Sequence, residues 1–297
     1  MIDLDLHLIT VHRDLVYAPV SNWEKHTLDL FVPPEASQAP LIVFVHGGAW
    51  RTGDKSMFTD MATRIAATSG YTVAVVNYTL SLSDIPGDPR SVPLTAQHPK
   101  HPQDVATAIA HLYAEADKYR AYDRHRIYLS GHSVGGQLTG LLVLRPTEYL
   151  IPAGTAAGLP DPMALHRAIQ GVIGVDGIYE VDKLWEKYPD YRDFMIQAFG
   201  ESKERRLHGS PEGQSVKDQG TDFKLPLYAV IHSLDDELLD DVQSKDYFAY
   251  LQSIVGISDK RRVQLEFGHW GKHDEMLQTE QFPVTVTKYL QAWENEH

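Results

Sequence analysis

Gly131-His132-Ser133-Val134-Gly135 carries the most chemistry of any stretch in the sequence. A serine hydroxyl is a weak nucleophile at its ordinary pKa. It reacts when a base takes its proton and the backbone holds it out toward a substrate. The pattern Gly-x-Ser-x-Gly does the second job where a strand leads in and a helix leads out. The glycines remove side chains that would collide as the chain doubles back, and the serine stands exposed at the end of the strand. Both flanks fit: the apolar run Arg126-Ile127-Tyr128-Leu129-Ser130 precedes the turn, and Gly136 to Leu144 reads as a helix. Ser133 is the candidate nucleophile for acyl transfer through a seryl intermediate.

Such a serine needs a histidine base oriented by a carboxylate. After a strand–turn–helix serine the expected chain order is Ser, then Asp or Glu, then His. The acid should follow the next-to-last strand and the base the last. After the strand-like run Leu227–Ile231 come Asp235, Asp236 and Glu237. Asp236 is the first choice, because it lies four positions after His232, the H-(G/S)-x-x-D spacing common in hydrolase-fold proteins. Asp235 and then Glu237 follow. A solvated acidic loop, or a cap on the helix beyond, is the competing reading. After the run Arg262–Phe267 two histidines, His269 and His273, compete for one role, and chain geometry alone does not separate them. Upstream, the buried-strand run Leu41–Val45 stops at His46-Gly47-Gly48-Ala49-Trp50. Glycines there let backbone N–H groups approach a developing alkoxide. The expected oxyanion donors are the amides of Gly48 or Ala49, with that of Val134. There is no G-x-G-x-x-G, no Walker A and no H-E-x-x-H, and the histidines show no metal-ligand spacing. Neither a cofactor nor a metal is expected.

These residues need a scaffold that brings strand ends together. Alternating strand and helix signals supply one. Leu6–Tyr17 and His26–Val32 read as early antiparallel strands. Residues 41–45, 71–77, 126–130, 169–175, 227–231 and 262–267 read as further strands. Helices are expected over 58–69, 102–119, 136–144 and 242–254, and from Pro283 onward, with Val105, Ile109, Leu112 and Ala116 inward on the second and Val286, Tyr289, Leu290 and Trp293 inward on the last. This order implies a mostly parallel, doubly wound α/β sheet whose ligands bind beyond the carboxyl strand ends. No linker or charge block divides residues 1–297, so a single domain is expected. Segments 80–100, 145–166 and 177–222 read as irregular or inserted pieces that cover the site.

Composition narrows the function further. The formal net charge of −13 argues against nucleic acid and anionic membranes as partners. With no cysteine, neither a disulfide framework nor a thiolate nucleophile is possible. The acidic N-terminus does not resemble a signal peptide, and no run approaches the ~20 apolar residues of a membrane span. A soluble, cytoplasmic protein is expected. Its partner would be a small molecule, with a homodimer left open.

On these residues the chain resembles the α/β-hydrolase superfamily over nearly its full length. Within it, it looks most like the eukaryotic kynurenine formamidases, particularly the fungal arylformamidases, and their hormone-sensitive-lipase-like esterase relatives. HGGAW at 46–50, GHSVGGQL at 131–138 and HSLDDELL at 232–239 carry the resemblance. Gly177-Ile178-Tyr179-Glu180, followed by Leu184 and Tyr188-Pro189-Asp190-Tyr191, adds to it. The resemblance implies Asp236 as the acid. It also implies His273 as the base, because Gly271-Lys272-His273-Asp274 matches the family's G-x-H-(N/D) context and His269 does not. Val134 stands where the family more usually has a small Ala. The activity implied is hydrolysis of N-formyl-L-kynurenine to L-kynurenine and formate, with Trp50, Tyr179 and Trp185 as candidates to pack on the substrate. The alternatives are a carboxylesterase on small acyl esters and, more remotely, a non-catalytic hydrolase-fold binding protein of the kind that loses a triad member.

Overall fold

The computed structural model describes residues 6–18, 25–81, 96–161, 163–219, 223–255 and 261–295. Most of the 80–100 segment and the last residues of the 177–222 segment, both expected to be insertions, lie outside the described residues.

The strands form where β-branched and aromatic residues run together. They are β1 (Thr10–Val16), β2 (Thr27–Val32), β3 (Ala39–Val45), β4 (Thr72–Val76), β5 (Tyr122–His132), β6 (Ile169–Val175), β7 (Leu227–Ser233) and β8 (Val263–Gly268). Among the described residues they make one eight-stranded sheet, in the order β1-β2-β4-β3-β5-β6-β7-β8. β1 pairs antiparallel with β2, and β2 antiparallel with β4. From β4 to β8 every neighbour is parallel. The expected mostly parallel sheet is therefore present, and β5 lies near its middle.

The helices are α1 (Thr59–Ser69), α2 (Lys100–Tyr119), α3 (Val134–Leu144), α4 (Leu150–Ala156), α5 (Ala164–Ala168), α6 (Val181–Lys187), α7 (Arg192–Phe199), α8 (Lys203–His208), α9 (Val242–Val255) and α10 (Gln281–Glu294). They cover both faces of the sheet. Strand side chains alternate between two cores, as the pleat requires. Leu41, Val43 and Val45 of β3 pack with Val105 and Ile109 of α2, Leu138 of α3 and Leu251 of α9. Ile42 and Phe44 of the same strand pack with Met61 and Ile65 of α1 and with Val286, Leu290 and Trp293 of α10. Each such side chain contributes roughly 1.5–3 kcal/mol by leaving water. α1 ends at Gly70 in the left-handed conformation, φ 74°, as its sequence leads one to expect.

Two readings change. Residues 145–166, expected to be irregular, hold α4 and the start of α5. Pro152 argued against a helix, but it is the third residue of α4, where the missing N–H would have no intrahelical acceptor. The early strand is shorter than expected, and Leu6–Leu8 form a 3₁₀ turn. Among the described residues no helix is long and apolar enough to cross a membrane.

Candidate active site

Ser133 sits between β5 and α3, in a backbone conformation (φ 56°, ψ −117°) that a side-chain-bearing residue rarely adopts. Its neighbours hold it there. The Ser133 amide donates to the Val175 carbonyl at 2.9 Å, and its own carbonyl accepts from the amides of Gly136 (3.0 Å) and Ile178 (3.2 Å). A side chain at Gly131 would meet the Gly135 carbonyl oxygen at 2.1 Å, and one at Gly135 would meet the Val45 carbonyl oxygen at 1.9 Å. Those two contacts explain the spacing of the glycines around the serine.

The histidine–glycine loop after β3 lies against this turn. A Cβ on Gly47 would approach the Ser133 Cβ to 2.9 Å. The backbone turns left-handed through Gly48 (φ 105°), Ala49 (52°) and Trp50 (58°). Beneath the loop, His46 donates from Nδ1 to the Gly47 carbonyl at 2.7 Å, and the Tyr78 hydroxyl donates to the His46 carbonyl at 3.0 Å. Burial lowers the His46 pKa to about 4, so the ring stays neutral. The amides of Gly48, Ala49 and Val134 have no acceptor among the described residues. That leaves them free to donate to an anion.

The acids and histidines of the β7 and β8 loops form two separate pairs. His273 Nδ1 lies 2.7 Å from Asp236 Oδ2, with side chains 5% and 0% exposed. His269 Nδ1 lies 2.8 Å from Asp235 Oδ1, with side chains 75% and 40% exposed. One pair is inside the protein and the other in solvent. The other oxygen of Asp236 accepts from the amides of Leu238 and Leu239 at 2.8 and 2.9 Å. Burial works against the Asp236 charge, but His273 and these two amides outweigh it and hold the carboxyl below its ordinary range. Burial also disfavours the His273 cation. The Asp236 hydrogen bond and charge override that, and the pKa is raised above 6.5. With its Nδ1 proton committed to Asp236, the neutral ring keeps Nε2 as a proton acceptor. Glu237 accepts from the His273 amide at 3.0 Å, so the third acid candidate holds the backbone of His273.

The structure adds two residues that no sequence pattern marked. His132 precedes the serine. Its Nε2 donates to the His273 carbonyl at 2.9 Å, and the two rings are 4.6 Å apart. This ties the β8 loop to the turn that carries Ser133. Asp176, the first residue after β6, is fully buried and has φ 42°. Its Oδ1 accepts from the Ser233 amide at 2.7 Å and lies 3.2 Å from His232 Nδ1. Its Oδ2 is buried with no hydrogen-bond partner among the described residues. Burial, then the Asp236 charge, pushes its pKa up to about 8. Only tertiary contact gives either residue a role, and no local signal could have found them.

The aromatic candidates are placed differently. Trp50 is fully buried. Its indole N–H donates to Gln137 Oε1 at 3.0 Å, and its ring packs edge-on to Phe199 of α7 at 5.0 Å. Tyr179 is also fully buried, stacked on Tyr247 of α9 at 4.0 Å. Both rings are packed in the core and expose no surface to a substrate. Trp185 of α6 is partly exposed, with the Arg206 guanidinium 4.0 Å and that of Arg192 5.1 Å from its ring centre. The segment carrying α6, α7 and α8 approaches the glycine loop after β3, where Asp193 pairs with Arg51 at 3.1 Å.

Comparison with known proteins fits this geometry. The family model for BD-FAE matches residues 28–251, which span the glycine loop, the Ser133 turn and Asp236. The chain belongs to the BD-FAE family. It is 29% identical over 269 residues to a kynurenine formamidase of Scheffersomyces stipitis, covering 84% of this chain and 90% of that one. It is 27% identical over 252 residues to a kynurenine formamidase of Meyerozyma guilliermondii, covering 84% of each. The esterase LipC of Mycobacterium tuberculosis is 25% identical over 73% of this chain and 49% of its own length. Among solved structures, a carbohydrate esterase from gut microbiota superposes with a TM-score of 0.71 over 96% of both chains at 17% identity. Carboxyl esterase 2 of Tuber melanosporum does so at 0.69 over 97% and 87%, at 18% identity. The fold is that of the α/β-hydrolases.

Proposed function

We propose that this member of the BD-FAE family is a serine hydrolase that cleaves N-formyl-L-kynurenine to L-kynurenine and formate. Ser133 would be the nucleophile, His273 the base and Asp236 the orienting acid. The buried 2.7 Å pair of His273 with Asp236, tied through His132 to the serine turn, carries the reading. The similarity to two yeast kynurenine formamidases supports the substrate.

The Ser133 hydroxyl attacks the formyl carbon while His273 Nε2 takes its proton. The carbonyl oxygen becomes an alkoxide held by the amides of Gly48 or Ala49 and of Val134. The His273 cation, stabilised by Asp236, gives its proton to the departing aryl nitrogen as the C–N bond breaks. Water, deprotonated by His273, then attacks the formyl ester. Formate leaves and Ser133 recovers its proton. A formyl group brings no acyl chain to house, which suits a nucleophile flanked by the buried Val134 and by Gly47 at close approach. An aryl amine also leaves more easily than an alkyl amine.

A carboxylesterase on small acyl esters is the second reading, favoured by the similarity to LipC. Comparing kcat/KM on N-formyl-L-kynurenine and on p-nitrophenyl acetate separates them. The formamide should be preferred. Preference for the ester by orders of magnitude would reject the formamidase assignment and leave the esterase.

A further inference from the structure

Asp176 is unexplained by the mechanism above. Its Oδ1 stitches β6 to β7 through the Ser233 amide, a task an asparagine or serine would do as well. Its other oxygen is buried and has no hydrogen-bond partner among the described residues, which normally costs stability. One Asp176 carboxylate oxygen, one from Asp236 and one ring nitrogen of His273 all lie within 4.8 Å of one another. The groups facing Asp176 are His232 and Asp236 from β7 and its loop, His273 and Asp274 from the β8 loop, and Tyr179 from its own loop. Ser244 of α9 reaches His232 Nδ1 from the other side at 3.2 Å. Among the described residues the ion pair of Asp176 is with His232, and neither an arginine nor a lysine pairs with it.

We propose that Asp176 is a positioning residue that shares one negative charge with Asp236 and becomes the partner of His273 when Asp236 is neutralised. Two carboxyls this close in a buried site do not both ionise readily, and they titrate as a pair. In the wild type the charge resides on Asp236, which has two backbone amides and the His273 ring to hold it. Asp176 has one amide and the edge of the His232 ring on one oxygen, a weaker set, and holds its proton to higher pH. Burial is the larger reason that Asp176 keeps its proton and the Asp236 charge the second, so neutralising Asp236 removes part of what holds Asp176 neutral. Asp176 can then ionise and support the His273 cation in the transition state.

This rests on Ser133, His273 and Asp236 being the reactive set, so hydrolysis of p-nitrophenyl acetate and its loss in Ser133→Ala are checked first. A Ser133→Ala protein that remains active rejects the triad itself. With that established, kcat/KM is measured across pH for Asp176→Asn, Asp236→Asn and the double variant. Asp176→Ser, which keeps an acceptor for the Ser233 amide, replaces Asp176→Asn if the latter does not fold. Asp176→Asn alone should change kcat/KM by less than about fivefold. Asp236→Asn should lose about 10²-fold, and the double variant about 10⁴-fold, the loss known for a triad stripped of its carboxylate. The acid limb of the profile should lie at lower pH in the double variant than in Asp236→Asn. If Asp236→Asn alone already falls to the level of the double variant, or if folded Asp176→Asn collapses on its own, the proposal is wrong.

Discussion

At the scale of single residues, the two histidines of the β8 loop divide sharply. His273 is inside, hydrogen-bonded to a buried carboxylate, while His269 is in solvent with Asp235. Ser133→Ala and His273→Ala should each lower kcat by several orders of magnitude, whereas His269→Ala should leave it within about twofold, all read in a single steady-state assay. The pH profile follows from the raised pKa of His273. Acting as the proposed base, His273 would work only when neutral, so kcat/KM should rise with pH through a midpoint above 6.5. A midpoint below 6.5 would show that the Asp236 charge does not reach the ring. Ser133 was marked by its motif and Asp236 by its spacing from His232. Chain order left His269 and His273 level, and only the family resemblance pointed to His273, the histidine that the structure pairs with Asp236 in the interior. Asp176 and His132 were not legible, because a buried acid and a histidine acquire meaning only from what the fold packs against them.

At the scale of elements, the strands were legible because a parallel sheet covered on both faces needs uninterrupted apolar runs. Leu41–Val45 and Gly171–Val175 show this directly. The short helices after α3 were harder to read. α4 is seven residues long with a proline and a glycine inside it, and tertiary packing rather than propensity makes it helical. The join of β5 to α3 is the least tolerant element. At Gly135 an added methyl would lie 1.9 Å from the Val45 carbonyl oxygen, with backbone on the other side that cannot yield cheaply. Gly135→Ala should destabilise the protein by about 3 kcal/mol or more in urea denaturation, and shift the glycine loop against Ser133. At Gly70, where a Cβ would meet nothing within 4 Å, the same change should cost about 1 kcal/mol through φ alone.

At the scale of the whole molecule, Asp176 makes stability depend on pH. An unfolded aspartate loses its proton near 3.8, but the folded one holds its proton to about 8. Between those values the unfolded state binds fewer protons, so the folded state loses stability as pH rises through the window. Asp176→Asn mimics the protonated form. It should melt higher than the wild type at pH 8, by about 5 °C, with the gain vanishing toward pH 4 in calorimetric scans. Equal melting temperatures at both pH values would mean that Asp176 is already ionised when folded.

The position of β8 in the sheet has a further consequence. Ser133 hangs from β5 in the middle, but His273 hangs from the loop after β8, an edge strand among the described residues, most of whose side chains are only partly covered. Peripheral strands open before central ones, in excursions smaller than global unfolding. Mild denaturant should therefore switch the protein off while its circular dichroism is still intact. The amides of 263–268 should exchange with deuterium well before those of 127–131. What fails first would be the meeting of two lobes of one sheet, with Ser133 still fully formed and waiting for a partner that has swung away.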